Sequence, residues 1–191
     1  MFRMSAEFNK ADIEALKQTY SGDLIRKAIR SALDKTGTWG KNYLANDVSS
    51  NYNLTASRVK KAINVKRTTQ TKMETSLTIS GKGLSILDDF RAIQDSVGIK
   101  ANVSRTKIFS VPHAFINVAR GAGKKVIMLR KGRQRYPTTG KPGRGPSVAI
   151  LANRVVHREK MDSDLTNHLY QEMEAQITKR TMGVGGTPLI E

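Results

Sequence analysis

The chain is 191 residues long and carries 33 Lys or Arg against 16 Asp or Glu, a net charge of +17 with a pI near 10.3. That length suits one domain with a core of ordinary size, and the absence of cysteine excludes disulfides and thiolate metal sites. No apolar run approaches the roughly 20 residues of a membrane span, and Met1-Phe-Arg-Met-Ser lacks the apolar stretch of a secretory signal, so a protein held in a cytosol, or packaged from there into an assembly, is expected.

The amino-terminal part, residues 8–65, reads as helical. Phe8, Ile13, Leu16 and Tyr20 fall at spacings of three to five, the apolar stripe of a short amphipathic helix. Ser21-Gly22-Asp23 offers a cap for a second helix, whose stripe is Leu24, Ile25, Ala28, Ile29, Ala32 and Leu33, with Arg26, Lys27 and Arg30 on the other face. Gly37 and Gly40 bracket Trp39 and are expected to end or kink this helix, and Trp39, the one tryptophan, reads as a core anchor.

The stretch 49–63 admits two readings. A turn at Asn51–Asn53, a Thr55 cap and a buried stripe of Leu54, Val59, Ala62 and Ile63 would turn Arg58, Lys60 and Lys61 outward, as in a helix-turn-helix DNA reader. The same pattern makes a plain αα-corner with a basic outer face. No three-helix core surrounds it and strands follow directly, which favours the corner.

From residue 70 to 136 the pattern is that of an antiparallel sheet. Met73, Thr75, Leu77 and Ile79 alternate with polar residues up to Gly81-Lys-Gly83. Leu84–Phe90 is ambiguous. Ile99–Val103, Lys107–Val111, Phe115–Val118 and Val126–Leu129 read as short strands, the last two joined in a hairpin by Gly121-Ala-Gly-Lys124. Pro137–Pro146 is expected to be an exposed loop unable to join a ladder. A helix over about 160–180 follows, with Leu165, Leu169, Met173, Gln176 and Ile177 on one face, Asp162 and Asp164 near its start and Lys179 and Arg180 at its end, as the helix dipole favours. Residues 183–191 read as a flexible tail. The predicted class is α+β in a single domain over 1–182: amino-terminal helices, an antiparallel meander with hairpins, and a long carboxy-terminal helix packed on the sheet.

Between Ser96 and Arg158 there are fourteen Lys or Arg and no Asp or Glu. A one-signed stretch of this kind implies an anionic partner. The candidate anion-facing residues are Lys124, Lys125, Arg130, Lys131, Arg133, Arg135, Lys141 and Arg144, with Arg58, Lys60 and Lys61 as the alternative DNA-facing set on the 49–63 segment. Within the densest part of the run, Lys124–Pro137, Tyr136 is the one aromatic, which argues against single-strand stacking.

Catalytic patterns find little support. His113, His157 and His168 are scattered and none is at metal-ligand spacing from another. Gly121-Ala-Gly-Lys-Lys has the look of the end of a phosphate loop, but Val118 stands where its first glycine belongs and no Ser or Thr follows the lysine. The expectation is a protein without catalytic residues, metal or cofactor.

One arrangement carries a family resemblance. Phe115-Ile-Asn-Val-Ala-Arg is followed by Val126-Ile-Met-Leu-Arg-Lys-Gly-Arg-Gln-Arg-Tyr-Pro137, a loop, Gly145-Pro-Ser-Val148 and a long helix. With Tyr52-Asn-Leu-Thr and Val59-x-x-Ala-Ile63 upstream, this resembles bacteriophage minor tail protein Z over most of residues 8–180, most specifically over 126–148. It departs in the insert at 138–144 and the short arm beyond Arg180. The resemblance implies a non-enzymatic virion component, made in the bacterial host cytoplasm and located in the tail of a phage or prophage. It would complete the tail at the head-proximal end as a homo-oligomeric ring, beside other tail or head–tail connector proteins and in non-specific contact with DNA. The alternative is a nucleic-acid-binding protein, either a helix-turn-helix regulator using 49–63 or an RNA binder using 124–144.

Overall fold

A computed structural model describes residues 2–6, 10–69, 71–118, 123, 125–130, 138–139, 144–156 and 158–182. In chain order the elements are β1 (Phe2–Ala6), α1 (Lys10–Thr19), α2 (Gly22–Asn51), α3 (Ala56–Ala62), β2 (Ile63–Lys66) and β3 (Thr75–Ile79). Then come β4 (Gly83–Ser85), α4 (Ile86–Phe90), β5 (Ile93–Gln94), β6 (Gly98–Ala101), β7 (Phe109–Pro112) and β8 (Ala114–Val118). The chain continues through β9 (Lys125–Arg130), β10 (Thr138–Thr139), β11 (Arg144–Ser147), α5 (Val148–Val155) and α6 (Arg158–Thr181). The class is α+β, and every strand pair is antiparallel. The chain divides into two compact units: 1–44, 63–79 and 156–191 form the first, and 45–62 with 80–155 the second.

In the first unit, Ile25, Ala28, Ile29, Ala32 and Leu33 of α2 close on Leu169, Met173 and Ile177 of α6. Each buried Leu or Ile of this seam contributes about 1.5–3 kcal/mol of burial. Two polar ties set its register: Ser31 donates to Gln176 Oε1 at 2.9 Å, and Lys35 pairs with Glu172 at 2.8 Å. Leu24 N–H donates to Ser21 Oγ at 3.4 Å, the cap the sequence offered. The sheet of this unit has the order β1-β3-β2.

Gly37 and Gly40 neither end nor kink α2, which runs unbroken for 30 residues, about 45 Å. Their role is close approach. A Cβ at Gly37 would lie 2.6 Å from Thr75 Oγ1, and one at Gly40 would lie 2.9 Å from Leu77 and 3.1 Å from Leu165. The missing side chains let the helix come down on β3 and α6.

The second unit holds the last turns of α2, α3, α5 and the remaining strands, around Val48, Leu54, Val59, Phe90, Ile99, Ile127, Val148 and Leu151. Thr55 caps α3 by accepting from Arg58 N–H at 3.3 Å. Leu84–Phe90 resolves into β4 and α4, with Ser85 as the helix cap. The meander read over 70–136 is divided among separate small sheets, β5-β6-β7 and β10-β9-β8 among them. Strands of two to six residues are too short to carry one continuous ladder across turns as sharp as the one at His113, whose φ is +61°. There β7 gives way to β8, and His113 N–H donates to Val97 O at 2.9 Å.

Three further boundaries differ from the reading. The part read as helical, 8–65, includes the start of a strand at Ile63, and β1 precedes it. The 137–146 segment does join ladders: Thr138 and Thr139 pair with β9, and Arg144 and Ser147 pair with β4. Pro146 is tolerated because the register shifts between those two residues, so its missing N–H falls outside a regular ladder. The last helix begins at Arg158, and α5 precedes it.

Candidate anion-facing surface

Of the eight proposed basic residues, Lys125, Arg130 and Arg144 fall within the described residues, all in the second unit. Lys125 opens β9 opposite Val118 and is exposed, while Arg130 closes the same strand opposite Thr138. Five residues of extended chain put them about 17 Å apart. Arg144 is exposed on β11, opposite Ser85 in another sheet. Lys124, Lys131, Arg133, Arg135 and Lys141 lie outside the described residues.

Of the alternative set, Lys61 is exposed and Lys60 half-buried. Arg58 is engaged within its own unit. Its Nε and one terminal nitrogen, the latter at 3.1 Å, donate to the two carboxylate oxygens of Asp89, which also accepts from Ser85 N–H at 2.7 Å. Burial works against the Asp89 anion, but the Arg58 and Ser85 hydrogen bonds outweigh it and hold the carboxyl below its ordinary range. Asp95 is treated alike by Lys100 and by the Gly98 and Val97 N–H groups, which pull it down to about 2.

Sequence reading passed over three cations. Arg91 follows α4 in the left-handed conformation, at φ 48° and ψ 53°, a position that usually takes glycine. Arg105 donates to Ser49 O at 3.1 Å and lines with Arg91 and Arg58 a cleft of about 690 Å³, which Asp88 and Asp89 also border. Lys107 is exposed beside Ile108 and Phe109, 67 % and 45 % exposed. Their one sequence signal was the acid-free run from Ser96, in which Arg105 and Lys107 sit.

The division of charge is the main electrostatic fact. The second unit holds 18 Lys or Arg against four Asp or Glu, whereas the first holds 15 against 12. Two of those four acids, Asp89 and Asp95, are already spent on Arg58 and Lys100. The second unit thus carries a net +14 against +3 on the first, an excess of the sign that attracts anions. Among the described residues no group of three or more His, Cys, Asp or Glu is placed to hold a metal ion. Compared with family models, curated proteins and solved structures, the chain matches none.

Proposed function

We propose that the protein is a structural component of a phage or prophage tail, resembling minor tail protein Z, which acts without catalysis in tail completion at the head-proximal end, as a ring. The observation that supports this best is the concentration of +14 on one of two units, with Lys100, Lys125, Arg130 and Arg144 carried by three of its strands. A spread of cations suits phosphate or an acidic neighbouring ring, neither of which requires a base-reading element. Short strand edges such as β7 can add to a neighbour's sheet.

The test is made on particles of the phage or prophage that carries this chain. Arg133→Glu with Arg135→Glu should leave a soluble folded protein and abolish infective particles. Wild-type titres from that double variant, or particles that lack the protein altogether, would reject the reading.

The rival reading, a nucleic-acid-binding protein, draws on the same +14. The Arg58–Asp89 pair weighs against α3 as its reading helix, because the leading cation of that helix is already engaged. A strong preference for one duplex sequence over bulk DNA would favour the rival.

A further inference from the structure

We propose that copies of this chain join head to tail, with the Lys107–Phe109 segment of one copy seated in a groove between α1 and α6 of the next. This deepens the ring reading and rests on it for the setting of the contact. The groove is lined by Leu16, Tyr20, Tyr170, Met173 and Ile177, with a volume of about 700 Å³ and Glu174 as the charged side chain on its wall. Asn167, Gln171 and Thr178 complete its walls, and with Glu174 as its one charged lining residue it suits two bulky apolar residues next to a cation better than a phosphate backbone. Ile108 and Phe109 are such a pair, both well exposed, directly after Lys107.

Charge decides which partner is available. Two copies meeting through their second units would bring +14 against +14. The first unit, at +3, repels far less, and the one charged residue that lines its groove is the acid Glu174, with Lys179 and Arg180 following it on α6. A contact between unlike surfaces of identical chains is heterologous, the kind that closes into rings or runs on as filaments.

The test uses the full chain and measures mass by light scattering and sedimentation over a wide concentration range, at low and high salt. The wild type should exceed its 21.1 kDa monomer mass as concentration rises. Lys107→Glu and Glu174→Lys should each weaken association by about tenfold or more, and the double variant should restore it. Phe109→Ser, which keeps every charge, should weaken it as well. Unchanged circular dichroism of the variants shows that folding is intact. A wild type that stays at monomer mass throughout, or single variants that associate like the wild type, overturns the contact. A chain that associates in this way but is absent from tail particles would defeat the tail reading and leave the contact standing. Particles that contain the protein and tolerate both charge reversals would do the opposite.

Discussion

Arg58 holds Asp89 through two guanidinium nitrogens across 31 residues of sequence, and in doing so ties α3 to the start of α4. The acceptor side chain is 8 % exposed while the donor is 45 % exposed, so the cation stays half in water and the anion depends on its partners. Asp89 also satisfies the Ser85 N–H.

Asp89→Ala should therefore cost about 1–3 kcal/mol, because it strands the Ser85 N–H and removes a charge-assisted pair. The folded-state pKa of Asp89 lies below the ordinary 3.8, so its contribution is present above that value and is lost as pH falls through the lower folded one. Urea midpoints of wild type and variant should differ clearly at neutral pH and converge in acid. An equal gap at both pH values would contradict the pairing.

Gly98 faces the backbone of the next strand. A Cβ there would lie 2.3 Å from Val111 O and 2.9 Å from Pro112 Cα, neither of which can move without breaking the β6–β7 pairing at the His113 corner. Gly98→Ala should destabilise by about 1–3 kcal/mol or more. Gly81→Ala is the control: nothing lies within 4 Å of the added methyl. It should match the wild type or exceed it by about 0.4–1 kcal/mol through the entropy of the unfolded chain. Equal denaturation midpoints for the two variants would refute the close-approach account.

How far the sequence was legible follows the range of the forces involved. The Ser21 and Thr55 caps and the α2 stripe are local signals, and each is found where the spacing placed it. Gly37 and Gly40 misled because helix propensity is also local: each glycine costs the helix about 1 kcal/mol, yet tertiary contact with Thr75 and Leu77 decides the outcome. β1 pairs with β3 across almost 70 residues and β2 across a connection of eight; both alternate apolar and polar residues, but over only five and four positions, too few to stand out alone. The acid-free run from Ser96 falls almost wholly in the unit that holds 18 Lys or Arg against four acids. What composition could not show is that Asp89 takes Arg58 and Asp95 takes Lys100, since both pairings exist only after folding.

His168 is stacked on Trp39 with ring centroids 4.6 Å apart, and its Nδ1 lies 3.3 Å from the buried Thr36 hydroxyl. Burial lowers its pKa below 6.5, Glu172 pulls the other way and Lys35 adds to the lowering. A depressed folded value means that the unfolded chain takes up the proton first. Stability should thus be full above about 6.5 and decline as pH falls from there through the folded pKa. Because an imidazolium quenches a stacked indole, the fluorescence of this one tryptophan should drop with a midpoint below 6.5. His168→Gln should remove that step and flatten the melting temperature between neutral and mildly acid pH. A midpoint at or above 6.5 would contradict the burial argument.

Charge placement can be separated from total charge by two paired variants. Lys125→Glu with Arg144→Glu removes exposed cations from the second unit, and Lys72→Glu with Lys179→Glu removes exposed cations from the first. Both lower the net charge by the same amount, so simple loss of long-range attraction is common to them. Exposed charges contribute little to folding, and both proteins should melt close to the wild type. Their affinity for duplex DNA should differ. If each of Lys125 and Arg144 neutralises one phosphate, the slope of log affinity against log salt should fall by about two, at roughly 0.9 per contact. The first-unit variant should keep the wild-type slope, and neither should acquire a sequence preference. Equal slopes for the two variants would place the anion contact elsewhere than on the second unit.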